Sequence, residues 1–233
     1  RGDGTWKGPK LSLDWPQEGL RPARVWSRPI GGGYGGIAVS DGRVFVMHRR
    51  PNPGVEGILC FDAVSGDPLW THEYETDYSE VSYDNGPRST PTVFGGRVYT
   101  LGAVGHVFCL DEKDGTVIWS KDLVEDLGAR VPIWGLSASP LIVDESVILH
   151  AGVEPDGCFI AFDLASGEER WRSLPDAAGY ATPILVRQNE SRQLVGWTPT
   201  NVRGLDPRTG TLLWTVPFEV NYGTSIAHPI FAD

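Results

Sequence analysis

Five residues carry side chains suited to binding chemistry. Arg88 follows Gly86-Pro87. A guanidinium beside such a turn can pair with an anionic ligand, or it can bond the carbonyls of its own loop. Trp134 and Tyr180 each precede a short apolar run and offer flat faces. Trp134 either stacks on a flat ligand or plugs an internal channel. Tyr222, after Asn221, and His228, before Pro229, complete the ligand-binding candidates. The alternative for His228 is a structural role.

Other reactive types lack the company their chemistry requires. His48, His72, His106, His150 and His228 stand apart, with no HExxH and no i, i+4 pair, so no metal site emerges. Cys60, Cys109 and Cys158 are odd in number and show no CxxC or adjacent pair. They read as small buried apolar residues. Ser40, Ser89 and Ser139 lack a G-x-S-x-G setting. The run from Gly31 to Gly36 lacks the helix a phosphate loop needs, and reads as a turn. Asn189-Glu190-Ser191 is a glycosylation sequon, meaningful only in a suitable secretory pathway, and Arg1-Gly2-Asp3 is treated as chance. No catalytic residue and no metal ligand is assigned.

Whatever positions the five candidates is set by a repeat. Asp62, Gly66 and Trp70 follow an Asp-x3-Gly-x3-Trp pattern. It returns at Asp111, Gly115, Trp119, at Asp163, Gly167, Trp171, and at Asp206, Gly210, Trp214. The period is roughly 45 residues, in the range of propeller blades. A small polar residue before proline leads each later unit: Thr90-Pro91, Ser139-Pro140 and Thr182-Pro183, with His228-Pro229 opening another copy. Between these landmarks lie four short runs rich in Val, Ile, Tyr and Thr, split by Gly turns, which predict four strands. The loop between the second and third strands is expected from Arg49 to Gly57 in the first unit and from Val153 to Gly157 in the third. The glycines lie where a hairpin needs φ > 0, the aspartates can accept hydrogen bonds from the turn, and each Trp can bury its ring against the next unit. The motif residues are therefore structural.

A four-stranded unit cannot bury both faces alone, and stacking units around an axis solves this. The fold class is all-β: a β-propeller with about four complete blades and partial blades at both ends, a fragment of a seven- or eight-bladed ring. The blades are expected at 31–75, 86–125, 132–176 and 179–220, with a partial blade at 221–233 and an extension at 1–23. Trp26 marks an outer strand of an earlier copy at about 24–29, and an inner strand is expected at about 224–231. The candidate binding residues fall on loops leading into inner strands, near the axis.

The chain has 233 residues and a net charge of −10. That acidity disfavours nucleic acid and anionic membrane as partners. No apolar run reaches the roughly 18 residues of a membrane span. The chain opens at Arg1 without a signal peptide, which reads as a processed or cropped start.

The repeat resembles the PQQ-like family, whose tryptophan-docking motif is small-x-Asp-x3-Gly-x3-Trp. Ala161-Phe162-Asp163 with Gly167 and Trp171 is the closest copy. Cys60 and Cys109 take the small position, and the stretch Arg203 to Asp206 departs slightly. The resemblance covers residues 24–233. The family includes eight-bladed quinoprotein alcohol dehydrogenases and BamB-like outer-membrane assembly factors. In the dehydrogenases, the resemblance implies PQQ on an aromatic floor beside an adjacent Cys-Cys disulfide, a Ca2+ held by Glu, Asn and Asp, and an Asp base. None of these maps onto a matching motif here. The expectation is a binding or scaffold module in the periplasm or another extracytoplasmic space, without a complete catalytic site. A protein partner or small-molecule ligand would sit on the axial face. The alternative is part of a quinoprotein alcohol or sugar dehydrogenase dependent on PQQ and calcium.

Overall fold

A computed structural model describes residues 24–188 and 191–230. Four antiparallel sheets follow one another, each a simple meander of four strands. The first holds β1 (Ile37–Ser40), β2 (Arg43–Arg50), β3 (Val55–Asp62) and β4 (Pro68–Glu75). The second holds β5 (Thr92–Phe94), β6 (Arg97–Leu101), β7 (His106–Asp111) and β8 (Val117–Asp122). The third holds β9 (Leu141–Val143), β10 (Ser146–Val153), β11 (Gly157–Asp163) and β12 (Glu169–Ser173). The fourth holds β13 (Ile184–Gln188), β14 (Ser191–Trp197), β15 (Asn201–Leu205) and β16 (Leu212–Pro217). Successive first strands touch, β1 with β5 and β5 with β9, so they are the innermost. The architecture is a four-bladed stretch of β-propeller.

Local chemistry explains the hairpins. Gly95 and Gly96 both have positive φ, 60° and 74°, the geometry that matches a two-residue turn to strand twist. The loop expected from Val153 to Gly157 lies at those bounds, whereas the first-unit hairpin runs further than expected. β2 continues to Arg50 and β3 resumes at Val55, because the ladder pairs Arg50 with Val55.

The motif acts between blades. The carboxylate of Asp62 accepts the backbone N–H groups of Val64 and Ser65 at 2.9 and 2.8 Å, and Asp163 accepts those of Ala165 and Ser166 at 2.8 and 2.9 Å. This holds the turn whose glycine lies under a tryptophan of the preceding blade. A Cβ on Gly115 would stand 2.6 Å from the Trp70 ring, and one on Gly167 would stand 2.7 Å from the Trp119 ring. The indole N–H groups of Trp26, Trp70 and Trp119 donate to the carbonyls of Ala63, Glu112 and Leu164, each at 3.1 Å. Trp171 covers Gly210 in the same way. Its indole N–H finds no acceptor among the described residues.

A bulge aims each tryptophan. Every ladder between third and fourth strands shifts register at the same place: between Cys60 and Phe61, Cys109 and Leu110, Ala161 and Phe162, and Gly204 and Leu205. In the first three blades the extra residue on the fourth strand turns the tryptophan toward the neighbouring blade, whereas Trp214 lies on Gly204 of its own sheet and donates to Gln193 Oε1 at 2.6 Å. The residue paired with each Trp is Cys60, Cys109, Ala161 or Gly204. The fourth copy therefore has its small residue at Gly204 and does not depart from the motif.

Buried clusters lie between blades. One joins Phe45, Met47 and Cys60 to Val98 and Leu110; another joins Tyr99, Val107 and Trp119 to Leu149 and Phe162. The strands expected at about 24–29 and 224–231 are not seen over the described residues 24–29 and 224–230, where no described strand lies beside them to share a ladder. Trp26 still docks over Gly66, and Arg28 bonds the Gly66 carbonyl at 2.6 Å and Asp67 at 2.9 Å. The expected extension at 1–23 and the positions 231–233 of the partial blade lie outside the described residues.

Candidate functional site

Loops leading into first strands carry Arg88, Trp134 and Tyr180, the stretch after β16 carries Tyr222 and His228, and a hydrogen-bonded ladder links the entries of the first strands. The backbone N–H of Gly36 donates to Thr90 Oγ1, that of Thr90 to Ser139 Oγ, and that of Ser139 to Thr182 Oγ1, each at 2.9 Å. The hydroxyl residues before proline are the rungs. Proline gives no N–H of its own and fixes the chain as it enters the strand.

Arg88 turns onto its own loop. Its guanidinium donates to the carbonyls of Ser82, at 2.8 Å, and of Tyr83 and Gly86. It lies 5.4 Å from the ring centre of Tyr34 and 5.6 Å from that of Tyr78. Arg49 covers Tyr78 as well, at 4.1 Å, and donates to the Asp84 carbonyl at 2.6 Å.

Beneath these cations lies a fully buried carboxyl. Glu56 on β3 receives the hydroxyls of Tyr74, at 2.5 Å, and Tyr78. Burial pushes its pKa up; the two tyrosines and the Ala103 backbone pull the other way. Burial, with the Glu56 charge adding to it, raises the Tyr74 and Tyr78 phenols well above their usual range. A buried carboxyl with its acceptors occupied fastens blade to loop rather than performing proton transfer with solvent.

Trp134 and Tyr180 meet. Their ring centres are 5.5 Å apart at 42°, and both side chains are half-buried. Ser82 N donates to the Ile133 carbonyl at 2.8 Å, and the next loop follows, with Tyr180 N donating to the Ser225 carbonyl at 3.1 Å. A Cβ on Gly135 would lie 3.4 Å from Arg88 Nε. Arg88, Trp134 and Tyr180 are thus brought together. Tyr222 joins them through its loop and holds its ring in solvent, 94 % exposed, at φ +58°. His228 is exposed beyond Ser225.

Tyr34, Arg49, Glu56, Tyr78 and Tyr83 were not singled out from sequence. Tyr83 is 72 % exposed and also has φ +58°. A tyrosine next to Asp-Asn-Gly, a turn signal, was the one visible cue.

The cysteines form no adjacent pair of the kind that the resemblance to quinoprotein dehydrogenases implies beside PQQ. Cys60, Cys109 and Cys158 are free, buried and on third strands of three different blades. Among the described residues no group of three or more His, Cys, Asp or Glu side chains is placed to hold a metal. No helix among them is long and apolar enough to cross a membrane.

Comparisons with known proteins agree with this geometry. A protein of Moranella endobia (strain PCIT) described as outer membrane protein assembly factor BamB is 27 % identical over 173 residues, covering 69 % of this chain and 40 % of its own length. Quinoprotein ethanol dehydrogenase of Pseudomonas putida is 25 % identical over 185 residues, covering 78 % of this chain and 26 % of its own length. The chain thus spans less than half the length of either relative. In fold it is similar to quinohemoprotein alcohol dehydrogenase from Comamonas testosteroni, with a TM-score of 0.59 and 17 % identity over 80 % of this chain and 35 % of that one. The family model described as "Outer membrane protein assembly factor BamB" matches residues 54–228. With that match on four tryptophan-docked blades, the chain belongs to the BamB-like family of PQQ-type propellers.

Proposed function

We propose that the chain is a binding module, working in an extracytoplasmic space of a bacterium, whose lead-in loops dock a protein partner. The observation that carries this reading is the division of labour at those loops. Two ionisable groups at these loops are occupied within the chain: Arg88 on carbonyls, Glu56 on tyrosines. Exposed on these loops are two rings, Tyr83 and Tyr222, held in a backbone conformation that costs a tyrosine free energy. Exposed aromatic rings beside polar groups that are occupied within the chain suit docking better than catalysis. The names of the relatives described as assembly factors accord with a module that binds other proteins. Calorimetric titration with PQQ, with and without Ca2+, tests this against a dehydrogenase. No saturable calcium-dependent heat is expected; saturable micromolar binding that needs Ca2+ would overturn the proposal.

A further inference from the structure

The docking face has a chemical preference. Tyr83, Trp134, Tyr180 and Tyr222 mark a strip of aromatic residues across four successive loops, tied by the Ser82–Ile133 and Tyr180–Ser225 backbone bonds, with Trp134 and Tyr180 in ring contact. The loop that carries Tyr83 also carries Asp77, Glu80 and Asp84, and Glu219 stands three residues before Tyr222 in the chain. All four carboxylates are exposed, and none takes part in an ion pair among the described residues. Arg88, the basic residue of the loop 76–91, points inward onto carbonyls.

We infer that this strip takes an extended basic segment of a protein partner, with Lys or Arg side chains lying on the exposed rings and pairing with the flanking carboxylates. The inference rests on the binding-module reading. Three arguments support it. The face of an aromatic ring attracts a cation, and aliphatic Lys and Arg stems cover apolar surface while their heads stay wet. Within the chain the same chemistry is already in use, since Arg49 and Arg88 lie over Tyr78 and Tyr34. The net charge of −10 steers a basic segment toward the molecule and repels an acidic one.

The test is fluorescence anisotropy with three labelled peptides of equal length: alternating Arg-Ser, alternating Glu-Ser and alternating Leu-Ser. Saturable binding of the Arg peptide is expected, weakening with added salt as exposed charges are screened. Tyr83→Asn and Tyr222→Asn, which suit a positive φ, should each weaken it, and together by about tenfold. The inference fails if the Arg peptide binds no tighter than the Glu peptide, or if both tyrosine variants bind it unchanged. Binding of the Leu peptide through the same tyrosines, in preference to the Arg peptide, would overturn the basic preference and leave the docking face standing. Calcium-dependent PQQ binding with no peptide bound would remove both readings.

Discussion

Ser139 accepts the backbone N–H of Thr90 at 2.9 Å, across the boundary between two blades, and passes its own N–H to Thr182 of the next. The hydroxyl is short enough to reach the neighbouring chain and polar enough to satisfy an amide that no ladder serves. Ser139→Ala leaves the Thr90 amide without its acceptor and should cost about 1–2 kcal/mol in a urea titration. Ser139→Thr keeps the hydroxyl and should cost less. Equal losses would show that the hydrogen bond contributes nothing.

Trp119 is 8 % exposed and rests on Gly167 of the following blade. Trp119→Ala should destabilise the chain by about 3–5 kcal/mol, the range for truncating a large buried aromatic. Gly167→Ala tests the other partner. Its Cβ would fall 2.7 Å from Trp119 Cδ2, at φ +70°. A loss of about 1–3 kcal/mol is expected. Denaturant midpoints measure both, and a loss under about 1 kcal/mol for Trp119→Ala would be incompatible with docking.

His150 is fully buried, stacked on Phe159 at 4.4 Å. Its Nε2 accepts the Gly179 N–H at 2.9 Å, so the proton sits on Nδ1, which donates to the Ala181 carbonyl at 3.2 Å. Burial lowers its pKa from 6.5 to about 4. The unfolded chain thus takes up a proton before the folded one does. This contribution is complete above pH 6.5, falls as the pH drops toward 4, and levels off below. The change is up to about 3 kcal/mol. The difference in stability between the parent chain and His150→Gln, measured across that range, should carry this slope; a flat difference would contradict it.

Glu56 has the opposite sign. Its folded pKa is raised, so its contribution is complete below the ordinary carboxylate value of 4.5 and declines as the pH rises through the folded value. Glu56→Gln should remove that decline, so the variant gains on the parent chain as the pH rises above 4.5. Urea titrations of both proteins at several pH values check it, and a constant difference would count against burial as the dominant cause.

All three thiols should be silent toward a disulfide reagent at about pH 8 until the chain unfolds. Each is buried; burial pushes Cys60 and Cys109 up to about 11 and Cys158 well above its ordinary value. One rapidly reacting thiol in the folded chain would show that a blade opens locally.

The blades were legible because the docking motif is local: Asp, Gly and Trp lie within one hairpin, and each copy repeats the spacing. The cysteines were readable as small residues, although pairing with Trp70 and Trp119 became visible only with the bulge. The Thr-Pro and Ser-Pro landmarks were visible without their purpose, since their partners stand a whole repeat away. Glu56, Tyr78 and Arg49 carry no local signature. They meet because a strand end, a loop and a neighbouring strand end converge in space, and nothing in their spacing encodes that. The strands expected at about 24–29 and 224–231 show the limit from the other side: a strand-like sequence is a strand only where another lies beside it.

Because the apolar clusters sit in the seams and not within the sheets, the molecule behaves as a row of coupled links. A wound in the seam beneath Trp119 separates two halves, each keeping one intact seam. Unfolding then ceases to be all-or-none and proceeds in two stages, whereas the same wound at the fourth blade merely frays one end.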